Sequence, residues 1–391
     1  MVNRDITDQI RAAARQMPVV SITGPRQSGK TTLCRQLFPD FFYANLEQPE
    51  TRNFALQDPR QFLDQGERGM IIDEAQYAPE LFSYIQGRVD ETRRNGEFIL
   101  SGSQNFLLME KITQSLAGRV AVFHLLPFSL QELLPTPYKP ATPWEHILKG
   151  GYPRIYDQSV DLNLFFSSYV QTYVERDVRQ LINVSDLQQF QLFTRIIAGR
   201  IGQLFNQSAV ANETGLTHPT VKKWLSILQT SFVAFTLPPY FRNFSKQLVK
   251  SPKIYFYDTG LACYLLGIRT AGELETHYAK GALFENFVIV ETLKCFYNQG
   301  NRQSLYFWRD RTGHEIDLLI DTGGKLHPVE IKASQTIQPQ FFKNMDFFNQ
   351  ISGNDPAEAM VIYAGDLNQK RTQGQICSWD AFQQSLSFPA D

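Results

Sequence analysis

The chain alternates between three kinds of hydrophobic pattern. In its first third, short runs apolar at nearly every position are separated by polar segments. Val19 to Thr23 (VVSIT), Met70 to Ile72 and Phe98 to Ser103 (FILSGS) read as strands buried on both faces, as in a parallel sheet. Phe41 to Asn45 predicts a further strand, expected between the Val19 and Met70 strands. Ahead of them, Ile6, Ile10 and Ala13 recur at helical spacing in a short amphipathic helix. Pro135, Pro137, Pro140 and Pro143 then end this unit, because proline continues neither a helix nor a central strand. In the middle third, Leu162 to Ile182 carries apolar residues at helical spacing and predicts a packed lid or linker helix. Asn206 to Gln229 predicts two helices. Ser208 caps the first, which carries Val210 and Ala211; Gly215 makes the turn; Thr217 starts the second, with Val221, Leu225 and Leu228 inward. The residues from Leu237 onward are expected to form a wing. In the last third, GALFENFVIVETL is an amphipathic helix, and His314 to Asp321 and His327 to Ser334 are strands joined at Thr322-Gly323-Gly324.

Composition narrows the class. With 391 residues, 43% of them hydrophobic, the chain can build two or three separate cores. Its 38 Lys and Arg balance 39 Asp and Glu, which argues against a protein coated in positive charge but leaves room for a local basic surface. Cys34, Cys263, Cys295 and Cys377 make no CxxC spacing and the histidines make no HxxxH pair, so neither a disulfide framework nor a zinc site is legible. The longest nearly apolar stretch, Val120 to Phe128, is broken by His124 and Pro127 and is far too short to span a bilayer. The N-terminus has no signal-peptide core, so the expectation is a cytoplasmic protein with no membrane partner.

The first strand runs into GPRQSGKT, Gly24 to Thr31, a phosphate-binding loop in its required setting of strand, loop and helix. The loop of Gly24, Pro25, Arg26, Gln27, Ser28 and Gly29 would bind phosphate, its glycines letting it wrap the available backbone N–H groups around phosphate oxygens. Lys30 would reach the β- and γ-phosphates, and Thr31, followed by Thr32, would offer a hydroxyl to Mg²⁺; the cofactors expected are ATP and Mg²⁺. The strand ending in Asp73-Glu74 suits Asp73 for holding the metal shell and Glu74 for activating the attacking water. Ser103 and Gln104, after the next strand, are candidates for sensing the γ-phosphate. Arg119, in SLAGRV, is a candidate arginine finger from this or a neighbouring subunit, and the latter use would require a homo-oligomer.

In this order, GPRQSGKTT, IIDEAQ, ILSGSQN, SLAGRV and LLPFSLQEL resemble a branch of prokaryotic AAA+-type ATPases, whose members carry a poorly characterised C-terminal region. The resemblance covers essentially the whole chain. It implies an ATP-hydrolysing core with Lys30, Thr31, Asp73 and Glu74 in the roles above.

The second helix of the central pair turns Lys222 and Lys223 outward, and the segment after it carries Arg242, Lys246, Lys250 and Lys253 with no acid among them. Such a basic stretch interleaved with aromatics suits a nucleic-acid backbone, DNA or RNA. Farther on, Glu330 and Lys332 share one face of a strand, and a hairpin would bring Asp317 beside them. Two carboxylates with a lysine can support metal-assisted attack on a phosphodiester, with Glu285 on the preceding helix as a further carboxylate. Residues 280 to 365 resemble the PD-(D/E)xK nuclease superfamily, which includes Holliday-junction resolvases and restriction enzymes. Ile, not Pro, precedes Asp317. The resemblance implies Asp317, Glu330 and Lys332 as catalytic residues, with Mg²⁺ or Mn²⁺ on Glu285, Asp317 and Glu330.

The fold expected is therefore α/β in four parts. These are a P-loop ATPase domain with a parallel sheet over 1–135, a linker and helical lid over 136–195, a winged helix-turn-helix over 196–260, and a restriction-endonuclease-like domain over 261–391. The function expected is ATP turnover coupled to binding, remodelling or cleavage of structured or branched DNA. The alternative is a nucleotide-dependent switch whose C-terminal parts dock a protein and cut nothing.

Overall fold

A computed structural model describes residues 2–103, 115–174, 187–241, 249–301 and 304–386. Its N-terminal sheet has five parallel strands, β1 (Val19–Thr23), β2 (Phe42–Asn45), β3 (Met70–Asp73), β4 (Phe98–Gly102) and β5 (Val120–His124), in the order β2-β3-β4-β1-β5. The expected place of the Phe41 to Asn45 strand is corrected: β4, not β2, lies between β1 and β3. A central strand needs apolar residues on both faces. Every residue of β4 is buried, whereas β2 exposes Phe42 and half-buries Tyr43 and Asn45, which only an edge permits. Alternate residues of the strands serve two cores. Val20, Ile22, Ile71 and Ile99 belong with Ile6, Ile10 and Leu33; Val19, Ile72 and Leu100 belong with Phe62 and Phe82 on the other face.

After β5 the chain leaves this sheet. Leu126, Phe128, Leu130 and Leu133 belong to one continuous core with Trp144, Phe166, Phe193, Trp224, Phe284 and Phe287, far along the sequence. Each such side chain contributes about 1.5–3 kcal/mol by burial. A buried polar network holds the same junction. Ser129 and Glu132 form a capping box, and Glu132 also accepts from Arg4 Nε at 2.9 Å and from the Asp5 backbone at 3.0 Å. Glu291, on the long helix Lys280–Asn298, accepts from the backbone of Leu130 at 2.6 Å and from Lys294 at 2.7 Å.

The helix predicted over Leu162 to Ile182 is α-helical over Leu162–Tyr169 and π-helical over Val170–Val174, beyond which it lies outside the described residues. The central pair spans Gln207–Thr214 and His218–Thr230. Asn206, not Ser208, caps the first, its side chain accepting from Ala209 N; Thr217 caps the second as expected. Gly215 closes the first helix at φ +68°, a conformation costly to other residues. Strands β6 (Ala234–Leu237) and β7 (Lys253–Phe256) follow as an antiparallel pair, and Tyr240 N bonds to Phe307 O, tying the pair to the C-terminal sheet.

That sheet has six strands, β8 (Leu305–Arg309), β9 (Glu315–Asp321), β10 (Leu326–Lys332), β11 (Met360–Tyr363), β12 (Gln369–Arg371) and β13 (Gly374–Ser378), ordered β12-β13-β11-β10-β9-β8. β8, β9 and β10 are antiparallel neighbours; β11 joins β10 in parallel after the helix Lys343–Ser352. The β9–β10 hairpin sets Leu318 opposite Val329, next to Asp317 and Glu330. Among the described residues no helix is long and apolar enough to cross a membrane.

Candidate functional site

The C-terminal ends of β1, β3 and β4 converge on the loop that follows β1. Gly24 turns the chain at φ +155°, and a Cβ there would lie 2.1 Å from the carbonyl oxygen of Leu125, so the position demands glycine. Gly29, at φ +93°, caps the helix Lys30–Leu37. Lys30 is buried, and its Nζ donates to the carbonyls of Gly24 at 3.0 Å and Pro25 at 2.8 Å. Burial pushes its pKa down against the opposing pull of Glu74 and Asp73. An ammonium held by two loop carbonyls has exchangeable partners, which a phosphate oxygen can replace.

Thr31 Oγ1 donates to Asp73 Oδ2 at 2.8 Å, and Tyr43 OH donates to the same oxygen at 2.9 Å. Ser101 Oγ donates to the other carboxylate oxygen. Hydroxyl and carboxylate thus stand together as a divalent cation's oxygen shell requires, so the donor set fits Mg²⁺. Glu74, in the left-handed region at φ +55°, turns its carboxylate back toward β4. There Oε2 accepts from Ser103 Oγ at 2.9 Å, Ser103 N at 3.3 Å and Gln76 Nε2 at 2.5 Å. Ser103 therefore meets Glu74 directly. Gln104 lies outside the described residues.

A cleft of about 460 Å³ opens over the loop. Arg26, Gln27, Gly29, Lys30, Thr31, Thr32 and Glu74 line one side, and Pro153, Arg154, Asp157 and Gln158 line the other. Arg4 supports the loop from behind, its Nη1 donating to the carbonyl of Ser28 at 2.8 Å. Sequence reasoning missed Tyr43, Ser101, Arg4 and Arg154. Only Arg154 had a local signal: Gly150-Gly151 followed by a proline that starts a helix. A Cβ at Gly151 would meet the Phe128 carbonyl oxygen at 2.4 Å, so this turn packs too closely for any other residue.

Arg119 is corrected as a finger for its own chain's site. It precedes β5, the neighbour of β1, at the opposite end of the strands from the loop, where its carbonyl accepts from Val19 N and its guanidinium pairs with Asp90 at 2.6 Å. A strand's length, about 16 Å, separates it from the loop.

The C-terminal residues also meet, with an addition. Ile331 N donates to Asp317 Oδ2 at 2.8 Å, and Lys332 Nζ donates to Glu330 Oε1 at 2.5 Å. Into the same cluster comes Lys253, expected on a basic surface and instead only 2% exposed. Its Nζ donates to Glu285 Oε1 at 2.9 Å and pairs with Glu315; Tyr255 OH donates to that Glu285 oxygen at 2.5 Å. The expectation that Lys253 contacts nucleic acid is thus corrected, because an apolar setting around β7 buries it and two carboxylates hold it. Burial raises Glu285 to about 7 against the pull of Lys253, and burial with the Asp317 charge raises Glu330 to about 8. The expected divalent ion does not fit this arrangement. Four carboxylates (Glu285, Glu315, Asp317 and Glu330) already face Lys253, Lys332 and Arg309, and among the described residues no three His, Cys, Asp or Glu gather as a metal shell. Lys222, Lys223 and Lys250 are exposed; Arg242 and Lys246 lie outside the described residues.

Residues 16–134 match the AAA domain family, and residues 142–272 and 280–382 match two domains of unknown function, DUF8612 and DUF4143. Uncharacterized proteins of Mycobacterium tuberculosis and Mycobacterium bovis are each 33% identical over 370 residues, which is 93% of this chain and 80% of theirs. Among solved structures, a Walker-type ATPase of Pyrococcus abyssi is 16% identical with a TM-score of 0.46, over 67% of this chain and 94% of its own. RuvB of Thermotoga maritima is 18% identical with a TM-score of 0.32, over 61% of this chain and 90% of its own.

Proposed function

The chain belongs to one family with these mycobacterial proteins, an AAA-type P-loop ATPase domain followed by two domains of unknown function, and on that premise we propose that it is an ATP-hydrolysing switch that engages DNA. One observation carries the first half: Lys30, Thr31, Asp73 and Glu74 meet at one cleft, with Glu74 held by Ser103 and Gln76. ATP with Mg²⁺ supplies the phosphoanhydride to be broken and a counter-charge for it. Lys30 gives up the Gly24 and Pro25 carbonyls to bind phosphate oxygens. Thr31 and Asp73 would hold Mg²⁺. Glu74 accepts the proton of the attacking water, and Arg154, across the cleft, meets charge developing on the phosphate. Phosphate release from ATP by the purified chain tests this directly; no turnover and no nucleotide binding in the presence of Mg²⁺ would sink the proposal.

DNA is the second half of the reading, favoured by the free face of the helix His218–Thr230. His218, Lys222 and Lys223 are exposed there, while Val221, Leu225 and Leu228 are buried. The helix pair followed by β6 and β7 supports a winged helix-turn-helix, with the second helix toward the DNA. A long helix, three antiparallel strands, a helix and a parallel strand support a nuclease-like C-terminal fold, used without cleavage. Lys222→Ala/Lys223→Ala is expected to weaken duplex binding uniformly across sequences and to lower the slope of log affinity against log salt by about two. An unchanged slope in fluorescence anisotropy titrations would remove this helix from the contact.

A further inference from the structure

The carboxylate cluster between the β6–β7 pair and the C-terminal sheet contains its own cation. Lys253 enters from β7, Glu285 from the long helix, and Glu315 and Asp317 from one face of β9. The Lys253 ammonium contacts Glu285 and Glu315, and its charge lies 5.5 Å from the centre of the Phe307 ring. Tyr255 holds the Glu285 carboxylate from a second side, and Arg309 holds the second oxygen of Glu315 at 3.1 Å. Ile331 N–H occupies one oxygen of Asp317, and Lys332 one oxygen of Glu330. Glu330 Oε2 is buried with no hydrogen-bond partner among the described residues. Three cations, Lys253, Lys332 and Arg309, thus already face these carboxylates. A doubly charged cation placed here would face the ammonium groups of Lys253 and Lys332 at close range.

We infer that Lys253 is the resident cation of this cluster, which works as an ion-pair lock fastening the β6–β7 pair to the C-terminal sheet and takes no divalent metal while the lysine is seated. The lock stands independently of ATP turnover. A buried ammonium with its carboxylates thus joins three elements, adding to the Asn286–Phe256 bonds and the apolar core that they share.

Manganese(II) binding, followed by electron paramagnetic resonance on the nucleotide-free full chain, tests the inference. All proteins carry Asp73→Asn so that the P-loop does not contribute. With Lys253 present, no bound manganese is expected at the cluster. Lys253→Met is expected to bind one ion more than about tenfold tighter, because the nearest positive charge is gone, and Asp317→Asn added to it is expected to abolish the gain. Manganese bound with Lys253 in place and lost on Asp317→Asn would overturn the inference. So would a Lys253→Met protein that gains no metal and melts at the parent's temperature. Should Lys253→Met fail to fold, Lys253→Arg, which keeps the charge, is expected to fold without binding manganese, and metal binding by it would equally refute the lock.

Discussion

Glu74→Gln is expected to lower ATP turnover by about 10²–10⁴-fold while nucleotide binding persists, the loss typical of removing a general base. The substitution keeps the size of the side chain and an oxygen able to accept from Ser103 Oγ and N, so the end of β4 and the turn after β3 stay in place. What it removes is the capacity to take a proton from water. Lys30→Ala is expected to differ in kind. It removes the only side-chain ammonium among the residues lining the loop side of the cleft, so affinity for a fluorescent ATP analogue falls along with turnover. Measuring phosphate release and analogue binding on both variants separates the two roles. Glu74→Gln with wild-type turnover would remove Glu74 from the chemistry, whatever became of Lys30.

The second large effect is on stability. Glu291→Gln is expected to destabilise the fold by about 3–5 kcal/mol, because it leaves the Lys294 ammonium buried without its carboxylate. Glu291 is 1% exposed and accepts from Leu130 N, Lys294 Nζ and, at 3.0 Å, Gln383 Nε2; Lys294 also donates to the Phe128 carbonyl at 2.8 Å. Burial alone would push this carboxyl up, but Lys294, with the His146 ring beside it, holds it at about 2 against an ordinary 4.5. The folded state thus binds fewer protons than the unfolded chain between these values. Its contribution is whole above pH 4.5 and is lost as the pH falls toward 2, so the gap between wild type and variant in urea unfolding should close over that window. Glu291→Gln/Lys294→Met should recover part of the loss; a double variant worse than the single would refute the pairing.

These two sites lie at the ends of one path. Arg4 bonds the Ser28 carbonyl in the P-loop and Glu132 in the capping box, and the neighbouring residues Phe128 and Leu130 bond Lys294 and Glu291. Change at the nucleotide cleft thus has a continuous polar and apolar contact with the long C-terminal helix.

Much of the nucleotide cleft was legible in the chain itself, because a phosphate-binding loop is local. Gly24 to Thr31 must be contiguous to wrap one phosphate, and an apolar run ending in Asp73-Glu74 announces a strand end. The Asp317, Glu330 and Lys332 group was legible for a related reason: strand period and a two-glycine turn bring opposite positions together. Ser103 was legible as a polar group at a strand end, though its hydrogen bonds to Glu74 were not. Tyr43 and Ser101 carry no local mark, since a tyrosine in an edge strand and a serine inside an apolar strand have the same sequence signature wherever the sheet order sends them.

The sequence by itself determined the strands β1 to β4, β9 and β10, the helix pair after Asn206, where the phosphate loop lies, and which acids could act beside it. These follow from periodicity and from spacings of a few residues. Only the tertiary structure decided that β4 separates β1 from β3, that Arg119 lies a strand's length from its own P-loop, and that Lys253 is a buried counter-ion and not a surface contact. Each depends on which distant segment packs against which, and burial of a charge is a property of that packing. The same lysine in RNFSKQLVKSPK is a solvated cation when read along the chain and the centre of a carboxylate cluster once β7 meets the helix Lys280–Asn298 and β9.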